Sequence, residues 1–123
     1  MRYLTARKRA EGRGASHTGT AHHWSMTVSS VALAFMVPVW IYVFGHALGG
    51  TRPEVMATFA RPFPAILTAL MLVVGMRHFA MGARTMIEDY LHGMARKIGI
   101  IFATSLAATI AAAGLFALAR IAL

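Results

Sequence analysis

Residues 24–48 read WSMTVSSVALAFMVPVWIYVFGHAL, a stretch of 25 residues without a Lys, Arg, Asp or Glu. About 20 predominantly apolar residues are enough for a helix to cross the hydrocarbon core of a bilayer. The stretch therefore predicts a transmembrane helix. A cleaved secretory leader has an apolar region of only about 7 to 15 residues, so we interpret this segment as a retained span.

Two further apolar runs follow the first. One extends from Pro64 through an uncharged run into a helical pattern that reaches about Tyr90. The other, Ile98 to Ala119, is uncharged and rich in Ala, which favours close contact between membrane helices. The sequence thus predicts an all-α membrane protein with three transmembrane helices, over about residues 24–48, 64–90 and 98–119.

The composition of the chain supports a membrane protein. Of its 123 residues, 58% are hydrophobic and 13% are charged, whereas a soluble domain carries about 25% charged residues. The formal charge is +8, but most basic residues flank the apolar runs. We interpret the basicity as an orientation signal and not as a nucleic-acid surface. The absence of cysteine excludes disulfides and cysteine-held metal sites.

The distribution of Lys and Arg predicts the orientation, because cytoplasmic flanks carry their excess. Residues 1–21 are basic and poor in apolar side chains, so we expect a cytoplasmic tail that does not fold alone. Arg96 and Lys97, after the second span, are also expected inside. The Gly- and Pro-containing loop 49–62 and the C-terminus are then outside. Residues 22–123 form the predicted membrane-anchor domain.

An ionisable pair lies near the middle of the second span. Such residues are costly inside a membrane and mark functional sites by default. His78, beside Arg77, could tolerate this depth by binding a haem iron through one ring nitrogen. Gly75 and Gly82 bracket His78 on one helical face, where a flat macrocycle could lie. The alternative is a histidine hydrogen-bonded to a neighbouring helix, with glycines that serve only helix packing.

The second span ends in Glu88, Asp89 and Tyr90. Asp89 follows His78 by eleven residues, almost three full turns, so the two share a helical face. A phenol and a carboxylate at the cytoplasmic boundary suit a site that holds a carbonyl ligand while protons arrive from water. The alternative is that Tyr90 belongs to the interfacial aromatic belt and that the carboxylates cap the helix or pair with nearby basic residues.

These residues together resemble a known family. The strings HFAMG at 78–82 and MIEDYLH at 86–92 resemble the motif of the succinate dehydrogenase hydrophobic membrane anchor. In that motif a haem-ligating His is followed by Gly after four residues and by Asp-Tyr after eleven and twelve. The resemblance implies that His78 is one axial ligand of a haem b, its iron shared with a second anchor subunit. It also implies that Tyr90 hydrogen-bonds a ubiquinone carbonyl and that Asp89 supports that site.

The sequence departs from the family at the start of the first span. Many members have an Arg near the haem propionates, at a position that aligns with Thr27. The resemblance therefore leaves the propionate contact to another cation. Arg77, beside the implied ligand, and the pair His22 and His23 are the candidates.

The resemblance implies an anchor subunit of succinate:ubiquinone oxidoreductase in a bacterial inner membrane, with a flavoprotein, an iron–sulfur protein and a cytochrome b anchor as partners. Its expected role is electron transfer to ubiquinone, in the tricarboxylic acid cycle and the respiratory chain. Succinate oxidation is expected on the partners, because this chain has no dinucleotide fingerprint and no cysteines for clusters. The alternative is a three-span assembly factor or transporter half without a redox cofactor, in which Arg77 and His78 line a polar path.

Overall fold

The computed structural model describes residues 5–11 and 19–123, and in these ranges all regular structure is helical. The helices are α1 (Ala6–Glu11), α2 (Gly19–Ala47), α3 (Arg52–Ala60), α4 (Pro62–Tyr90) and α5 (Gly93–Ala122). Three of them, α2, α4 and α5, are long and apolar enough to cross a membrane. The predicted all-α architecture with three spans is confirmed.

The long helices extend beyond the uncharged runs that revealed them. Helix α2 begins at Gly19 and not near Trp24, and α5 begins at Gly93. Arg96 and Lys97 consequently belong to the first turns of α5 and not to a connection. Charges mark where a chain leaves the hydrocarbon core, but backbone hydrogen bonding can continue into the headgroup region. Hydropathy therefore locates the membrane span but underestimates the length of the helix.

The basic N-terminal segment 1–21 is helical in part. Helix α1 carries an exposed ion pair in which Arg7 Nε lies 2.8 Å from Glu11 Oε1. Such pairs one turn apart stabilise a helix by only about 0.2 to 0.5 kcal/mol. Arg2 and Arg13, two of the residues behind the orientation prediction, lie outside the described residues.

The connection predicted as a loop over 49–62 contains a helix, α3. Gly49 follows the end of α2 with φ +86°, in the left-handed region that favours glycine. Thr51 then donates from its backbone N–H and its hydroxyl to Glu54 Oε2, at 2.7 and 2.8 Å. These two bonds, the backbone bond first, hold the pKa of Glu54 below its ordinary value. The Thr-x-x-Glu spacing is a helix-start signature, so the segment predicted as a Gly- and Pro-containing loop holds a short helix that the prediction missed.

Helix α3 closes one end of the bundle. Its Phe59 is buried in a small cluster with Ala47 at the end of α2 and Leu118 near the end of α5. Since Tyr90 ends α4 after a long run from Pro62, the α3 cap lies at the end of the bundle opposite Tyr90.

Helices α4 and α5 form a close interface of small residues. A two-residue connection, 91–92, makes them antiparallel neighbours. Ala103 and Ala107 of α5 are buried. At Gly114 an added Cβ would lie 2.9 Å from Leu72 Cδ1, so no larger residue fits there without a shift of that side chain. The Ala-rich third span serves helix contact, as its composition predicted.

The outer surface of the three long helices is apolar. Among the described residues, six hydrophobic side chains are buried, and three of them are alanines. Large side chains such as Phe35 and Phe102 are 74% and 67% exposed. A helix that is apolar on all sides suits lipid or neighbouring membrane subunits.

Candidate functional site

His78 lies at the interface between α2 and α4. Its Nδ1 is 2.8 Å from Ser29 Oγ, and both residues are half-buried. The position is near the centre of α4, which runs from Pro62 to Tyr90. Among the described residues, no hydrogen bond involves the other ring nitrogen, Nε2. The imidazole is therefore hydrogen-bonded through Nδ1, and its Nε2 has no partner among the described residues.

Arg77 lines a groove between the same two helices. Its Nη2 donates to Ser25 Oγ at 2.9 Å, and that hydroxyl lies 3.9 Å from Met81 Sδ. The groove has a volume of about 490 Å³, is otherwise mostly apolar, and has Trp24 among its lining residues. In the part of the chain that the structure describes, no carboxylate pairs with Arg77. A cation thus lines an apolar groove, and its hydrogen-bond partner among the described residues is the hydroxyl of Ser25.

The two glycines that bracket His78 face α2. A Cβ added at Gly75 would lie 4.0 Å from Leu33 Cδ2, and one added at Gly82 would lie 3.9 Å from Met26 Cε. These are ordinary packing distances. The face of α4 that carries both glycines is therefore covered by α2, which supports the packing interpretation of the glycines and gives no open surface for a macrocycle there.

The end of α4 presents an exposed phenol and an exposed carboxylate. Tyr90 is 79% exposed, and neither it nor Asp89 makes a side-chain hydrogen bond or ion pair with another described residue. Glu88, in contrast, pairs with Arg84 Nε at 3.0 Å and Arg96 Nη2 at 3.6 Å. The ion-pair alternative therefore describes Glu88 and not Asp89.

The residues singled out in the sequence occupy two separate places. Tyr90 follows His78 by twelve residues on one helix, which separates their positions by about 18 Å along the axis. The structure brings His78 and Arg77 to the contact with α2. It leaves Asp89 and Tyr90 at the helix end, open to a ligand or to a partner subunit.

Metal binding by this chain alone has no support in the described ranges, where no three His, Cys, Asp or Glu residues cluster. A haem iron needs fewer ligands from the protein, because the porphyrin supplies four nitrogens and a chain need contribute only one axial ligand. His78, whose Nδ1 is hydrogen-bonded to Ser29, could supply such a ligand through Nε2.

Sequence reasoning missed Ser25 and Ser29. Both lie in the first uncharged run, four residues apart, so they share one face of α2. Polar residues at such spacing inside a span were the available signal. Thr27 lies off this face: it is exposed, and its hydroxyl donates to the backbone oxygen of His23 at 3.0 Å. Of the candidate cations for a carboxylate ligand, Arg77 lines the groove.

Comparison with known proteins agrees with the motif at 78–92. Residues 1–112 match the succinate dehydrogenase/fumarate reductase transmembrane subunit family. The chain is 50% identical over 123 residues to a succinate dehydrogenase hydrophobic membrane anchor subunit of Paracoccus denitrificans, an alignment that covers all of this chain and 95% of the relative. No solved structure matches the chain. The chain therefore belongs to the succinate dehydrogenase/fumarate reductase transmembrane subunit family.

Proposed function

We propose that this chain is the hydrophobic membrane anchor subunit of a bacterial succinate dehydrogenase, located in the inner membrane. The observation that carries the proposal is the 50% identity to the Paracoccus denitrificans anchor along the whole chain. The apolar outer surface of α2, α4 and α5 suits this role, because it can hold soluble partners at a bilayer. Succinate oxidation belongs to the flavoprotein and iron–sulfur partners, since this chain has no cysteine for a cluster.

His78 is the proposed axial ligand of a haem b that a second anchor subunit completes. Support comes from its central position on α4 and from the bond at Nδ1, which leaves Nε2 for a metal. Ligand histidines characteristically use the other ring nitrogen to bond a neighbouring group in this way. When bound, haem b supplies reversible one-electron chemistry. The protein's part is to hold the iron and to set the basicity of the ligand.

Arg77 is the residue of this chain that fits the haem carboxylates. A haem combines an apolar ring with two propionates, and the groove combines apolar walls with one guanidinium. The guanidinium has no carboxylate partner among the described residues, and an unpaired cation at this depth is costly. Ser25 holds one nitrogen of the guanidinium and leaves its other donors available.

Tyr90 and Asp89 are the proposed contribution of this chain to ubiquinone reduction. The phenol donates a hydrogen bond to a quinone carbonyl, and this bond strengthens as the oxygen gains charge. Asp89, one residue earlier, accepts protons from water and passes them to the site. The exposure of both side chains supports the proposal, because each is open to a ligand.

The proposed orientation places the N-terminus in the cytoplasm and the C-terminus outside. Eight of the twelve Lys and Arg residues lie in segments 1–21 and 84–97, and three lie in segments 49–62 and 120–123. The contact of Ser25 with Met81 brings the start of α2 beside the end of α4. The two richer segments therefore share one membrane face, which the positive-inside rule assigns to the cytoplasm.

Reporter fusions test this orientation. We expect a reporter that is active only after translocation to be silent when fused near Ala10 and active when fused after Leu123. A reporter that is active only in the cytoplasm should give the opposite pattern. The reverse result with both reporters would place Tyr90 at the outer face and contradict the proposed site of quinone reduction.

Capture of the chain from membranes tests the proposed function. With an affinity tag at the C-terminus and a mild detergent, we expect the bound fraction to oxidise succinate with an artificial electron acceptor. The reason is that the soluble partners travel with their anchor. Succinate oxidation that stays wholly in the unbound fraction, while the tagged chain is captured, would reject the anchor role. It would favour the alternative of a three-span assembly factor or transporter half without a redox cofactor.

A further inference from the structure

The hydroxyl of Ser29 has three polar atoms within hydrogen-bond distance and one proton to donate. Ser29 Oγ lies 2.9 Å from the backbone oxygen of Ser25 and 2.9 Å from that of Met26, and it lies 2.8 Å from His78 Nδ1. Carbonyl oxygens only accept hydrogen bonds, whereas a neutral imidazole carries a proton on one of its two nitrogens. When the two carbonyls take the hydroxyl proton, a lone pair of Oγ faces the ring.

This arrangement of the hydroxyl proton requires one tautomer of His78. With the hydroxyl proton directed into the helix backbone, the contact at 2.8 Å is a hydrogen bond only if Nδ1 carries the ring proton and donates it. The remaining nitrogen, Nε2, is then unprotonated. An unprotonated ring nitrogen is the form that binds a metal.

We propose that Ser29 is a positioning residue for His78, because its hydroxyl accepts the Nδ1 proton and leaves Nε2 ready to bind the haem iron. The inference rests on the proposed role of His78 as a ligand. It adds a residue on a different helix, so that the packing of α2 on α4 sets both the orientation and the tautomer of the ligand. A hydrogen bond from Nδ1 also makes the imidazole a stronger donor to the metal.

The substitution Ser29→Ala tests the inference through the properties of the haem. Without the acceptor, Nε2 donates less electron density, ferric iron is less stabilised, and the midpoint potential of the haem shifts upward. The electron paramagnetic resonance signal of the ferric haem should change as well, since the ring is no longer held in one orientation. We expect Ser29→Thr, which keeps the hydroxyl, to restore both properties, and Ser29→Cys, a weaker acceptor, to fall between.

The matched control is Ser30→Ala. Ser30 makes the same kind of bond to the helix backbone, to the oxygen of Met26 at 2.9 Å, but it is exposed and its hydroxyl does not contact His78. Its loss should leave the potential and the resonance signal unchanged. A general effect of removing a serine from α2 would appear in both variants.

The outcomes separate this inference from the proposed function. A wild-type potential and signal in Ser29→Ala, in a complex whose haem is lost on replacement of His78, would reject the role of Ser29 and keep that of His78. If replacing His78 leaves the haem in place, the proposed ligand itself is wrong. If Ser29→Ala prevents assembly, the potentials of the Thr and Cys variants decide: equal values in both would also reject the inference.

Discussion

Replacing His78 with Ala is expected to remove the low-spin haem b spectrum from the captured complex. In the proposed function the imidazole of His78 is an axial ligand of the iron, and the methyl group of Ala supplies no atom that could take its place. The structure gives a contact of His78 with Ser29 of α2, whereas small residues such as Ala107 and Gly114 pack α5 against α4, so the bundle should still form. The measurement is the haem content and the reduced-minus-oxidised spectrum per captured chain.

A control substitution makes that result specific. His46 lies near the opposite end of α2, is exposed, and makes an edge contact with Tyr42 at 4.9 Å between ring centroids. We expect His46→Ala to keep full haem content. Unchanged haem content and spectrum in His78→Ala would contradict the assignment of the ligand.

Replacing Tyr90 with Phe is expected to slow electron transfer to ubiquinone while haem binding and assembly persist. The substitution removes one hydroxyl with almost no change in ring volume. Loss of a hydrogen bond to a developing charge costs about 1.5 to 3 kcal/mol, which corresponds to roughly a 10- to 150-fold lower rate if that step limits turnover. Succinate oxidation with an artificial acceptor should stay normal, because the proposed function assigns that reaction to the soluble partners.

The ratio of quinone-linked to artificial-acceptor activity in membranes measures this effect. Tyr42→Phe is the matched control, because Tyr42 is also an exposed phenol, 68% exposed against 79% for Tyr90, near the other end of the bundle. Its ratio should equal that of wild type. An equal ratio in Tyr90→Phe would show that Tyr90 is only an interfacial aromatic residue.

The three spans could be predicted from the sequence because their signal is local. A run without charges, such as residues 24–48, is visible without knowledge of what it packs against. Helix α3 was missed because a short helix with Gly and Pro nearby has little hydropathy signal. Only the Thr51–Glu54 capping pair marked it. The helix ends were also missed, since Arg96 and Lys97 lie in the first turns of α5, which hydropathy alone does not detect.

The candidate site was predictable only in part. His78, Asp89 and Tyr90 lie on one helix, α4, where the spacing in the sequence gives the relative positions of the side chains. Ser29 lies on another helix, α2. The sequence does not show which face of α2 meets α4, because this depends on packing between segments 49 residues apart. For the same reason the glycines beside His78 suggested an open face, whereas the structure covers that face with Leu33 and Met26.

The haem of the captured wild-type complex tests the central claim most directly. If this chain anchors a succinate dehydrogenase and binds haem b through His78, the purified complex should contain one haem per copy of the chain. Its ferric form should give the resonance signal of low-spin iron with two histidine ligands, and succinate should reduce it. A captured complex that oxidises succinate at full rate but contains no haem would contradict the claim.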